Sequence, residues 1–196
     1  MFDLDSRALI ETARAMRDRG ALPHGPPVAG APRFFIGGAD VPIDPPPGWM
    51  PTALAGKVEA GAEFVQTQFC MDTGVVRRYV ERLQAAGLLD KLSLLIGVCP
   101  LRSARSAHWM RHHLPGTVIP EEIVGRLEAA TDPAAEGATI CIELVAALAN
   151  IPGVAGAHIM APGNDAVVPR VLKSLRSRLP AARQSPLGGK ESRPPR

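Results

Sequence analysis

Aromatic side chains are scarce. The 196 residues include five Phe, two Trp and one Tyr, 4% of the chain. A module that reads nucleic acid by stacking bases on an aromatic platform is therefore not expected. Cysteine is also sparse. Cys70, Cys99 and Cys141 are odd in number and form no CxxC, which argues against both a zinc ribbon and a disulfide framework. Each lies in an apolar run, so the expectation is three reduced, buried thiols in a cytoplasmic protein. No run approaches the roughly 18 uninterrupted apolar residues of a membrane span. The acidic start, Met1-Phe2-Asp3-Leu4-Asp5, lacks the apolar core of a secretory leader. The body of the chain lacks an excess charge. The net charge of +3 resides in residues 179–196, where Arg183, Lys190, Arg193 and Arg196 face only Glu191. Residues 1–178 thus offer no basic stripe to a phosphate backbone, and neither nucleic acid nor membrane is an expected partner.

What is present is a globular composition: 46% hydrophobic residues, with 19 Gly and 20 Pro in no triplet period. Disorder and collagen are both excluded on that ground. Residues 5–19 place Leu9, Ile10, Ala13 and Met16 at helical spacing, with Asp5 or Ser6 to cap the start and Gly20 to end it. Arg33-Phe34-Phe35-Ile36-Gly37-Gly38 reads as a first strand buried on both faces. The four prolines of 40–50 dictate a long loop after it. A short helix over 52–60 precedes a second strand over 63–68. A helix over 73–86 buries Val75, Val76, Tyr79, Val80 and Leu83, and a third strand follows over 92–97. Helices over 103–113, 120–130 and 133–150, a fourth strand over 154–160 and a helix over 165–178 complete the pass. Residues 179–196, poor in apolar side chains, read as a disordered basic tail.

Strand and helix alternate, so a parallel α/β sheet is expected. The strand ends carry Gly37-Gly38-Ala39-Asp40, Thr67-Gln68, Cys99-Pro100 and Ala161-Pro162-Gly163. Such sequences at carboxyl ends favour a partial (β/α)8 TIM-type barrel of about four βα units over an open doubly wound sheet, because a barrel builds its site there. A whole barrel takes about 250 residues, more than are available. Gln66 and Gln68 share one face of the second strand. Gln68, nearest the mouth, has donors and an acceptor suited to a heterocyclic amide edge. A glutamine satisfied inside the core fits the same spacing.

The run Lys57-Val58-Glu59-Ala60-Gly61-Ala62-Glu63-Phe64-Val65-Gln66-Thr67-Gln68, with Asp72 beyond it, resembles the KV-x-AGA-x-F-x-x-TQ-x-x-x-D segment of the methylenetetrahydrofolate reductase family. Further collinear stretches are similar to that family. They include Phe2–Ser6 with its helix, Phe34–Gly37, Gly97-Val98-Cys99-Pro100-Leu101 and His108–Arg111. Ala135–Gly137 with Cys141–Leu144, and then Gly153–Pro162, extend the likeness across about residues 1–175.

The resemblance implies the second half of an eight-stranded barrel that binds FAD at its strand ends. There the flavin reduces methylenetetrahydrofolate to methyltetrahydrofolate, with NAD(P)H or another donor recharging it. Gln68 matches the family's pterin-contacting glutamine, and Ser106 lies where a helix side chain contacts folate. Lys57 matches a lysine near the flavin's phosphates, and Ala39 falls where backbone approaches the flavin. No catalytic residue is assigned. The family's acid, a Glu on its first strand, and its fourth-strand Gly-Asp motif have no counterpart in this sequence. Gly56 stands where relatives usually carry a basic residue. The expectation is a truncated product, a degenerate relative, or a half that needs an N-terminal barrel half or a second copy; a non-catalytic folate-binding subunit is the alternative. His108, His112 and His113 lack the glutamate of an HExxH site and read as an exposed helix face, so no metal is expected. Asp72 and Glu143 read as a helix cap and a surface charge. Ser103 and Ser106 show no arranged His and Asp partners for hydrolysis.

Overall fold

A computed structural model describes residues 4–30 and 32–179. The basic tail from Pro180 onward lies outside the described residues. Helix α1 (Ser6–Arg19) begins where the Asp5 carboxylate accepts from Ala8 N at 2.8 Å and ends at Gly20, whose φ of 61° is the left-handed conformation glycine tolerates. Four βα units follow. Strands β1 (Gly37–Asp40), β2 (Phe64–Phe69), β3 (Ser93–Val98) and β4 (Val154–Ile159) pair in chain order, all parallel. The helices between them are α2 (Thr52–Ala60), α3 (Thr73–Ala85), α4 (Ala104–His113), α5 (Glu121–Ala129) and α6 (Pro133–Leu148). A 3-10 turn at Asp165–Val167 leads into α7 (Val168–Arg178). The parallel α/β class is as expected, and four such units are what a partial barrel requires.

Local chemistry explains these boundaries. Asp72 caps α3 through Gly74 N (2.8 Å) and Val75 N (3.0 Å), the cap role read from sequence. Asp132 caps α6 the same way, with Pro133 in the first turn where its missing N–H leaves nothing unpaired. α3 buries Val75, Val76, Tyr79, Val80 and Leu83, as its periodicity predicts. These pack on Val65 of β2 and on Leu94, Ile96 and Val98 of β3, and α6 adds Cys141, Val145 and Leu148. A second cluster joins Phe69, Cys99 and Leu101 to α4 and α5.

The first strand is a correction. Phe34 and Phe35 precede it and are exposed, Phe35 at 64%. Phe35 instead stacks on Phe64, with ring centroids 5.0 Å apart. The Phe64 ring fills the space where a Gly37 side chain would stand. The Ile36 N–H is taken by the Glu63 carboxylate at 3.1 Å, so pairing with β2 starts only at Gly37. The sheet has two unlike faces. Alternate residues Val65, Leu94, Ile96 and Val154 face the helices. The register sets Ala39, Gln66, Leu95, Gly156, Gly97 and His158 on the other face, which no described helix covers; Ala39 and Gln66 are exposed there.

Candidate functional site at the strand ends

The carboxyl ends of the four strands lie on one side of the sheet, and the candidate residues gather there. At the end of β1 the Lys57 ammonium donates a hydrogen bond to the Ala39 carbonyl. The two residues linked to the cofactor by resemblance, 18 positions apart, thus meet. The next residue, Asp40, turns to the helical side and accepts a hydrogen bond from the Tyr79 hydroxyl. Burial and the adjacent carboxylate both push the Tyr79 phenol well above its ordinary range.

Gln68 sits in a bulge. Between Gln66 and Phe69 the β2–β3 register slips, so Thr67 and Gln68 together oppose Ile96. The Thr67 hydroxyl repairs the ladder by accepting from Gly97 N at 2.9 Å while donating to the Gln68 carbonyl at 2.9 Å. Gly97 has no alternative: a β-carbon there would press on the Thr67 carbonyl and lie 2.7 Å from the Gln68 carbonyl oxygen. The half-buried Gln68 amide accepts from Phe69 N at 3.0 Å and donates to the Pro115 carbonyl at 3.4 Å. Pro115 belongs to the loop before α5, which pairs with the extension of β2 through Val118, Phe69 and Met71. The amide therefore lies at the strand-end side, held by one good bond and one at the long limit.

Ser106 has a local duty. Its hydroxyl donates to the Ser103 carbonyl at 2.7 Å and accepts from Ser103 N at 3.1 Å, while Ser106 N donates to Ser103 Oγ at 3.2 Å. This is a capping box closed by serine instead of the usual Glu or Gln. Ser106 still lines a cavity of about 510 Å³ with Arg102, Arg105, Trp109 and Pro162. Of these four, Pro162 stands in a strand end marked in the sequence and Trp109 in a family-like stretch, whereas Arg102 and Arg105 carry no such signal. Two bonds tie the loops at its edge, Arg102 to the Gly163 carbonyl (3.3 Å) and Asn164 to the Pro100 carbonyl (3.2 Å). A larger cavity of about 930 Å³ lies between α1 and residues 22–25, and none of the candidate residues lines it.

Other groups are accounted for. Among the described residues no cluster of three His, Cys, Asp or Glu could hold a metal. His108 approaches Glu128 at 3.7 Å, and His113 stacks on Trp109. Glu143 pairs with Arg126 at 2.7 Å, the surface role expected of it. All three thiols are buried and free; burial pushes Cys70 up to about 11 and Cys99 and Cys141 up to about 12, so they are poor nucleophiles. His158 Nδ1 is buried without a partner. No helix among the described residues is long and apolar enough to cross a membrane. The Lys57 ammonium, whose bond to the Ala39 carbonyl leaves further N–H donors unused, has the point charge that suits a diphosphate group.

The fold and the strand-end polar groups define a parallel α/β protein of the kind that binds its ligands at the carboxyl ends of its strands. A family model described as methylenetetrahydrofolate reductase matches residues 44–176. The chain belongs to that family, whose matched stretch contains Lys57, Gln68 and Ser106 and starts after Ala39. A search of curated proteins finds no match.

Proposed function

We propose that this chain carries the folate- and flavin-facing strand ends of a reductase that converts 5,10-methylenetetrahydrofolate to 5-methyltetrahydrofolate, within one-carbon metabolism and methionine synthesis. Family membership across β2 to α7 carries the reading. The meeting of Lys57 with Ala39 at the sheet end that also holds Gln68 supports it. Bound FAD supplies the hydride chemistry, with NAD(P)H as its electron source. The protein's own part is to bind and orient. Lys57 places a point charge against the FAD diphosphate, where Ala39 leaves the main chain accessible. The Gln68 amide exchanges its long bond to Pro115 for the pterin amide edge. Ser106 lines a cavity shared with Arg102, Arg105, Trp109 and Pro162.

Among the described residues, the register sets no carboxylic acid on the open face. That observation favours a second reading, a folate-binding subunit whose acid comes from an N-terminal barrel half or another protein. The open sheet, in which β1 and β4 stand at the two ends of the strand order, suits the closing of a barrel by such a partner. The test is to purify the chain and titrate it with FAD and with 5-methyltetrahydrofolate. NADH oxidation is then assayed alone and after mixing with an N-terminal half. Flavin and folate binding, the former weakened in Lys57→Ala and the latter in Gln68→Ala, supports the reading. Turnover by the chain alone selects the enzyme, and turnover only in the mixture selects the subunit. Absence of both ligands, alone and mixed, overturns it.

A further inference from the structure

We propose that Thr67 is a positioning residue for the folate site: its hydroxyl sets the peptide plane between Gln68 and Phe69, and that plane aims the Gln68 amide. The inference rests on the folate reading above and deepens it. Thr67 is 3% exposed and stands two places from each of the buried apolar residues Val65 and Phe69 of β2. Valine, with the same branched shape and no polar atom, would suit such a place in a strand. A hydroxyl taken out of water there needs partners. It has two, and they lie on different strands. It accepts from Gly97 N of β3 at 2.9 Å and donates to the Gln68 carbonyl of β2 at 2.9 Å.

The second of these bonds reaches the Gln68 side chain through one rigid unit. The Gln68 carbonyl and the Phe69 N–H belong to the same planar peptide, so fixing one fixes the other. Phe69 N in turn donates to the Gln68 side-chain oxygen at 3.0 Å. A relay therefore runs from Gly97 N through the Thr67 hydroxyl and the Gln68–Phe69 peptide to the amide of Gln68. The register explains why a relay is needed. Gln66 pairs with Leu95 and Phe69 with Gly97, so Gln68 falls out of step with β3. Cys70 N donates to the Gly97 carbonyl at 3.0 Å once the slip is past. Across the slip itself, the Thr67 hydroxyl ties the two strands. Held in this way, the amide keeps a second N–H and a second oxygen lone pair for a ligand.

The test uses the full chain and variants at this position. Thr67→Val keeps the shape and loses the hydroxyl; Thr67→Ser keeps the hydroxyl and loses the methyl group. The first readout needs no ligand. It is the pair of side-chain amide signals of Gln68 in a proton–nitrogen correlation spectrum, identified by their loss in Gln68→Ala. They should move toward free-glutamine positions in Thr67→Val and stay at parental positions in Thr67→Ser. The second readout is titration with 5-methyltetrahydrofolate. Thr67→Val should loosen binding about three- to tenfold, the scale of one neutral hydrogen bond, with FAD affinity unchanged. Thr67→Ser should restore it. In a Gln68→Ala background, Thr67→Val should add no further loss. Should valine prevent folding, Thr67→Ala carries the same expectations. The inference is overturned if a hydroxyl-free variant keeps the parental Gln68 signals and folate affinity, if it weakens FAD and folate alike, or if its loss persists in Gln68→Ala. If folate binding depends on Gln68 and not on the Thr67 hydroxyl, the functional reading stands and the positioning role fails. If neither FAD nor 5-methyltetrahydrofolate binds while the Gln68 signals follow the hydroxyl, the functional reading fails and the positioning role stands.

Discussion

The two faces of the sheet are built on different principles. On the helical side, Val65, Leu94, Ile96 and Val154 are almost wholly removed from water and interlock with α3 and α6. On the other side, Ala39, Gln66, Leu95, Gly97, Gly156 and His158 form a surface of mostly small and polar groups that no described helix covers. Burying a large aliphatic side chain contributes about 1.5–3 kcal/mol, so stability concentrates on the first face. The second contributes little to folding and keeps polar groups available. Division of labour between faces, and not between domains, lets so small a sheet be both stable and chemically equipped.

Four experiments bear on that contrast, in descending order of effect. Ile96→Ala removes a fully buried side chain from the helical face and should cost about 2–5 kcal/mol by urea unfolding. A cost below about 1 kcal/mol would mean that the faces are not so unequal. The neighbouring Gly97→Ala tests the exception. Its methyl group would meet carbonyls of β2, so a loss near the upper end of the roughly 1–3 kcal/mol typical of overpacking is expected although the residue faces the open side.

The third experiment varies pH. Folding raises the thiols of Cys70, Cys99 and Cys141, all buried on the covered side or beside it. The unfolded chain releases those protons near its ordinary thiol range. Stability is therefore complete below about pH 8.5 and falls as pH climbs toward the raised values, by up to about 1.4 kcal/mol per pH unit for each thiol. Urea midpoints from neutral to alkaline pH should show this decline, with a shallower slope in Cys141→Ala. A flat profile would contradict the burial of the thiols. The smallest effect is expected of Gln66→Ala, within about 0.5 kcal/mol of the parent, because its side chain stands exposed on the open face. A larger cost would reveal a covering group on that side.

Much of this contrast was legible in the sequence. The stripe Val75, Val76, Tyr79, Val80 and Leu83 declared the buried face of α3, and Asp72 its cap, because side-chain period and capping chemistry are local. The pairing of Gln66 with Gln68 on one strand pointed to a polar strand end. Other features depend on contacts between distant segments. Phe34 and Phe35 look like core in sequence, yet one aromatic stack at the surface and a carboxylate from Glu63 delay the strand to Gly37. The bulge at Thr67 and Gln68 depends on the hydroxyl reaching across to β3, which no spacing rule signals. Arg102 and Arg105 carry no local signature, because the cavity they share takes a wall from the distant Pro162.

The cross-ties from Arg102 to Gly163 and from Asn164 to Pro100 fasten two successive loops into one rim. A molecule arriving there would meet a doorway whose two jambs are tied to each other by those bonds. Discrimination at such an opening resides in outline and charge pattern at equilibrium, so congeners should differ chiefly in residence time and far less in arrival rate.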